Sequence, residues 1–143
     1  MNLFKNLLWT AAPIIFLPVI GCGEAYQFAE VDGVLLIRDE PGRKIRIQFI
    51  PDREQGTTGP ISVAETDSQG RFTLELRENN GTPLGLGAVV GWHRVTLSDQ
   101  QLAESATGEG VPIRLQPEYS LPGSTPLKQQ VNEGKQTIKL AVP

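Results

Sequence analysis

The chain has 143 residues, with 13 Lys and Arg against 16 Asp and Glu, one cysteine and one histidine. That is the length of a single domain, and its mildly acidic balance without basic blocks excludes a polyanion partner such as nucleic acid. A lone cysteine excludes an internal disulfide, and a lone histidine excludes a histidine pair at a metal.

Residues 1–21 differ from the rest. Lys5 supplies a positive start, and the 14 residues from Leu7 to Ile20 form a mostly apolar run interrupted by Pro13 and Pro18. As a helix that run reaches about 21 Å at about 1.5 Å per residue, against about 30 Å of hydrocarbon in a bilayer. Its layout is that of a secretion signal and not of a membrane span. The run ends in Val19-Ile20-Gly21-Cys22, which resembles the lipobox of bacterial lipoprotein precursors: two aliphatic positions, a small residue, then cysteine. The resemblance implies cleavage before Cys22, a diacylglyceryl group on its thiol and a fatty acyl group such as palmitate on the new amino terminus. The other reading of these residues is an ordinary cleaved signal, with Cys22 a free thiol or removed. Under the first reading the protein is exported and held at a membrane through the lipid on Cys22, facing the periplasm or the cell exterior. Two acyl chains, at about 0.8 kcal/mol per buried CH2, anchor stably where one myristoyl chain is marginal. Without residues 1–21, 122 of the 143 residues remain, with 12 basic and 16 acidic groups, so no polybasic patch assists the lipid.

Residues 22–30 show little periodicity and read as a tether. Val31–Ile37 is apolar and β-branched, with Gly33 marking a bulge or an edge, and Arg38–Arg43 is a polar turn punctuated by Pro41-Gly42. Lys44–Phe49 alternates, which sends Ile45, Ile47 and Phe49 inward. Residues 51–60 form a loop. Ile61–Thr66 and Arg71–Arg77 are expected to be the arms of a hairpin closed by Asp67-Ser68-Gln69-Gly70, in which Asp67 accepts amide bonds and Gly70 takes a left-handed backbone. Asn80-Gly81 marks the next turn, Leu84–Gly91 is a glycine-rich approach, and Trp92–Leu97 turns His93, Val95 and Leu97 to one side. Ser98 and Gln101 have the spacing of a capping box for one helical turn, ahead of a small, polar excursion through Gly110. Val111–Pro117 is extended by its prolines, and segments 125–131 and 135–142 read as a final hairpin. About seven short strands at roughly ten-residue spacing predict an all-β, seven-stranded antiparallel β-sandwich over residues 31–143.

Five stretches, taken in succession, resemble the carboxypeptidase regulatory-like domain, a transthyretin-type β-sandwich that recurs in small bacterial lipoproteins. They are Val31-Asp32-Gly33-Val34-Leu35, Ile45 to Pro51, Thr66-Asp67-Ser68-Gln69-Gly70-Arg71-Phe72, Gly91 to Leu97, and Pro117-Glu118-Tyr119 with Ser124-Thr125-Pro126-Leu127. The first turn departs from the family: Asp39-Glu40-Pro41-Gly42 stands where an Asp-Gly turn followed by proline is usual. Members are mostly accessory or interaction modules, so the resemblance implies no catalysis and no cofactor.

The candidate sites are few. His93 sits mid-strand beside Val95 and Leu97 and reads as a structural residue ahead of a catalytic base, although any Ser-His-Asp arrangement would have to use it. The related transthyretin-type hydrolases of purine breakdown use more than one histidine and a Tyr-Arg-Gly-Ser carboxyl end. This chain carries Leu140-Ala141-Val142-Pro143 there, so the resemblance does not extend to that activity. Cys22, once acylated, is no nucleophile. Asp67, with neutral Ser68 and Gln69, falls short of the roughly six to eight oxygens calcium takes, and reads with Gly70 as a structural turn. Gly85-Leu86-Gly87 lacks the third glycine and the lysine of a phosphate loop. Trp92 and Tyr119 offer flat apolar faces for a glycan or a peptide. The expected function is thus a lipid-anchored, non-enzymatic cell-envelope module for structural or protein–protein interaction. The alternative is an envelope lipoprotein that takes a glycan or a peptide through Trp92, Tyr119 and the loops at 52–60 and 99–110. A hydrolase centred on His93 comes last.

Overall fold

The structure, a computed structural model, describes residues 26–143; the leader and Cys22 lie outside the described residues. The described chain is mostly β. In chain order the strands are β1 (Phe28–Ala29), β2 (Val31–Ile37), β3 (Glu40–Pro41), β4 (Ile45–Pro51), β5 (Ile61–Glu65) and β6 (Arg71–Thr73). They continue with β7 (Glu75–Arg77), β8 (Pro83–Leu86), β9 (Ala88–Val89), β10 (Gly91–Asp99), β11 (Lys128–Val131) and β12 (Gln136–Val142). One short helix, α1 (Gln100–Glu104), follows β10.

The larger sheet runs β11-β10-β4-β5-β7-β8 and is antiparallel throughout. The smaller sheet is built on β2, with β12 along one edge and β3 and β6 sharing the other. Alternation explains how they close on each other. Ile45, Ile47 and Phe49 of β4 are fully buried between exposed or half-exposed neighbours, and Val95 and Leu97 of β10 join them from the adjacent strand. Val31, Leu35 and Ile37 of β2 and Ile138, Leu140 and Val142 of β12 meet them from the other sheet in one continuous core. Full burial of such a side chain contributes about 1.5–3 kcal/mol, so this shared interior is the main stabilising term.

Pairing departs from the expectation in several places. The Asp67–Gly70 turn forms, with the Gly70 amide donating to the Asp67 carbonyl at 3.1 Å and the Asp67 amide to the Arg71 carbonyl at 3.0 Å. Its arms, however, lie in different sheets: β5 pairs with β4 and β7, whereas β6 pairs with β2. The chain crosses back at Leu74, whose amide donates to Val31 at 2.9 Å while its carbonyl accepts from Gly87 at 2.7 Å. Phe72, Leu74 and Leu76 all point inward as the alternation requires. A period of two sets the buried face but not which sheet supplies the partner strand.

The final pair is likewise not a hairpin. β11 pairs with β10, residues 132–134 carry the chain to the other sheet, and β12 lies parallel to β2 from Gln136↔Val31 to Val142↔Ile37. The seven-stranded, wholly antiparallel arrangement is therefore replaced by twelve strand segments with one parallel pair among the described residues. The fold also begins before Val31: β1 pairs with β9, and Ala29 is buried in the core. The first turn is a two-residue loop at Arg38 and Asp39, both with positive φ (52° and 66°), so Pro41-Gly42 falls after the reversal. That is the backbone of a type I′ hairpin, whose twist matches that of the strands. Helix α1 is capped by Asp99, which accepts from the Gln101 amide at 3.0 Å, and not by Ser98.

One corner ties the sheets together. The buried Thr66 hydroxyl accepts from the Ile45 amide at 2.9 Å and donates to the Gly42 carbonyl at 2.5 Å. Thr66 also exchanges backbone bonds with Ile45 and Lys44. Beside it Leu35 donates to Gly70 at 2.8 Å and accepts from Gly42 at 2.9 Å. Gly70 has φ +75°, and a Cβ there would lie 2.5 Å from the Leu35 carbonyl oxygen.

Two substitutions test the corner by thermal unfolding. Gly70→Val combines a left-handed β-branched residue with a clash against backbone, and is expected to cost about 3 kcal/mol, or roughly 10 °C in Tm. Thr66→Val keeps the shape but strands a buried amide and a buried carbonyl, at an expected cost of about 2–4 kcal/mol. An unchanged Tm in either variant contradicts the corner as described.

Candidate functional site

The densest polar cluster lies at the Gly91 end of β10, the end where the described residues begin: Phe28 pairs with Val89, and the Val90 amide donates to Gln27 at 2.8 Å. Asp52 follows the last residue of β4 and caps the 3-10 turn Arg53–Gln55, accepting from the Glu54 amide at 3.2 Å. Its side chain is only 2% exposed. Arg94 reaches it at 3.5 Å and Lys128 at 3.8 Å, and Arg94 also holds Glu54 at 2.7 Å and the Pro122 carbonyl at 3.3 Å. The Asp52 amide donates to Trp92 at 2.9 Å, Thr57 donates to the Asp52 carbonyl at 3.0 Å, and the Trp92 amide donates to the Thr57 hydroxyl at 2.9 Å. A buried carboxylate needs such company, since an unpaired one is strongly destabilising. The cluster pins loop 52–60 to β10 and β11.

His93 is fully buried in the same strand, its ring 5.6 Å from that of Phe49. Its Nδ1 lies 3.1 Å from the Gly91 carbonyl oxygen. A carbonyl only accepts, so Nδ1 carries the proton, and Nε2 is buried without a hydrogen-bond partner among the described residues. Neither nitrogen is hydrogen-bonded to a hydroxyl or a carboxylate, the geometry a nucleophile–base pair requires. Burial pushes the His93 pKa below its usual range, against the opposing effects of the Gly91 carbonyl and the Asp52 charge.

The other expected residues are scattered. Asp67 is exposed and accepts from the Gln69 amide at 2.8 Å and the Arg71 amide at 2.9 Å. Those amides, Arg71 first, hold its carboxyl below the usual range. Among the described residues no group of three or more His, Cys, Asp or Glu is placed to hold a metal ion. Trp92 is partly exposed, on the face of β10 opposite His93. Tyr119 corrects the expectation of a ligand platform: it is 5% exposed, because the 3-10 turn Pro117–Ser120 packs against β10 and turns the ring into the core. With one ring outward and the other inward, the two do not form a single aromatic surface.

At the far end of β10, Asp99 and Arg114 form a bidentate pair at 2.8 and 2.6 Å, and Arg114 also donates to the Arg43 carbonyl at 2.9 Å. Burial raises the Asp99 carboxyl, but Arg114 and the amides of Gln101 and Leu102 together bring it below the usual range. Sequence reasoning missed Asp52, Arg94 and Asp99. The available signal was local: an aspartate directly before a short charged or polar run, at Asp52-Arg53-Glu54 and Asp99-Gln100-Gln101, is a cap. Comparison of the chain with protein-family models, curated proteins and solved structures finds no match in any of the three.

His93 makes stability depend on pH. Its folded pKa lies below the unfolded value near 6.5, so above that value both states are neutral and the group contributes no pH dependence. As pH falls below it, the unfolded chain takes up a proton that the folded chain refuses, and stability drops by up to about 1.4 kcal/mol per pH unit. Denaturant unfolding between about pH 7 and 5, above most carboxylate titration, is expected to show this slope in the wild type and a flat line in His93→Phe. Equal slopes contradict the burial of a neutral ring.

Proposed function

We propose that the protein is a lipid-anchored cell-envelope module that acts by engaging a partner protein and not by catalysis, and that its sandwich is of the transthyretin-type carboxypeptidase regulatory-like class. The observation that carries the reading is Val19-Ile20-Gly21-Cys22 placed directly behind the apolar run of the leader. The mostly β fold around one shared core supports the class, as does the tight turn at Asp67–Gly70 within it. The polar groups support a structural role. Asp52, Asp99 and Asp67 are each occupied by arginines or backbone amides that hold loops in place. No solvent-facing set of nucleophile, base and oxyanion donors is assembled from them. Glycan recognition draws no support from Tyr119, which leaves Trp92 without its expected companion.

In cells, Cys22→Ser is expected to move the protein from the membrane fraction to the soluble one, and globomycin is expected to accumulate the unprocessed wild-type precursor. Membrane association that survives the substitution, together with processing indifferent to globomycin, contradicts the anchor.

A further inference from the structure

We infer that the end of the sandwich nearest Cys22 is itself a membrane-contacting face, with Phe28 and Leu84 lying in the interfacial layer of the bilayer that holds the anchor; this rests on the anchoring reading above. The first observation is an apolar cluster left in the open. Every residue of β8 is exposed, Leu84 near its start to 49%. A bulge sets Pro83 opposite Arg77 and Gly85 opposite Leu76, and Leu84 lies between them. Phe28 is 47% exposed. Tyr26, Phe28 and Leu84 line one groove whose rim carries Arg53, Glu78 and Asn79, and the Tyr26 and Phe28 rings are 6.3 Å apart. A single exposed leucine needs no explanation, but a contiguous apolar surface with a polar rim marks an interaction site.

The second observation is the length of chain available. Cys22 precedes Tyr26 by four residues. At full extension four residues span at most about 14 Å, at about 3.6 Å each. The polar layer of a bilayer is about 5–7 Å thick on each side. A lipid on Cys22 sits at the inner boundary of that layer, so the groove that begins at Tyr26 is held within or just above it. Aromatic and aliphatic side chains are stabilised at that depth, and the apolar surface there adds to the attachment that the lipid supplies. The opposite end of the molecule is well separated: β10 runs nine residues from Gly91 to Asp99, about 27 Å at about 3.4 Å per residue. Ile113, 72% exposed, precedes the arginine that grips Asp99 at that far end.

The test uses the full chain, matured and acylated, in vesicles of phosphatidylethanolamine and phosphatidylglycerol. With the Cys22 thiol occupied by lipid, a nitroxide is attached through Leu84→Cys and, in a second sample, through Ile113→Cys. Collision rates with oxygen and with a polar nickel chelate are then compared. The expected result is a severalfold higher oxygen-to-nickel ratio at position 84 than at position 113. Equal, water-like ratios in a protein whose mass shows the diacylglyceryl group overturn this inference and leave the anchor standing. Low collision rates with both reagents at position 84 indicate a protein covering the face, and also overturn it. A mass without the diacylglyceryl group overturns the anchoring reading and this inference together.

Discussion

The fold depends on a single buried hydroxyl at the place where the chain changes sheets. Thr66 closes β5 in the large sheet, and within a few residues β6 has joined the small one. Such a crossing leaves backbone groups outside either ladder, in a region too buried for water to satisfy them. Thr66 resolves this by accepting from Ile45 and donating to Gly42, while Gly70 presents its carbonyl to Leu35. Three stretches of chain, at Leu35, at 42–45 and at 66–70, are stitched at one corner, and the left-handed glycine is what lets the turn lie flat against Leu35. The corner converts two amphipathic sheets into one closed core.

Much of the local structure was legible because it rests on period two. β2 occupies Val31–Ile37, the residues expected for the first strand, and Ile45, Ile47, Phe49, Val95 and Leu97 are buried as alternation requires. What alternation leaves open is the partner. Nothing in Phe72-Thr73-Leu74-Glu75-Leu76 says that the first half pairs with β2 and the second with β5, since both sheets accept the same inward face. For the same reason Gln136–Val142 looked like the return arm of a hairpin. Its carboxyl-terminal apolar positions fit equally well alongside β2, where it runs parallel. β1 was missed because two residues are too few to display a period.

The polar residues were harder to read, for a different reason. Caps and ion pairs are set by tertiary approach, so Asp52 gave no hint of Arg94, 42 positions away, or of Lys128, 76 positions away. Tyr119 stands out in the sequence for its flat apolar face, yet the turn Pro117–Ser120 drives it inward. Asp52 secures loops at one end of β10 and Asp99 at the other. Exposed apolar side chains occur at both ends, Phe28 and Leu84 where the described residues begin and Leu102 and Ile113 near Asp99.

The central claim concerns the first residue of the mature protein, and the intact mass of the protein purified from membranes tests it most directly. The account predicts a chain that begins at Cys22 and carries a diacylglyceryl group on its sulfur. A chain that begins elsewhere, or one whose Cys22 thiol is free, contradicts it.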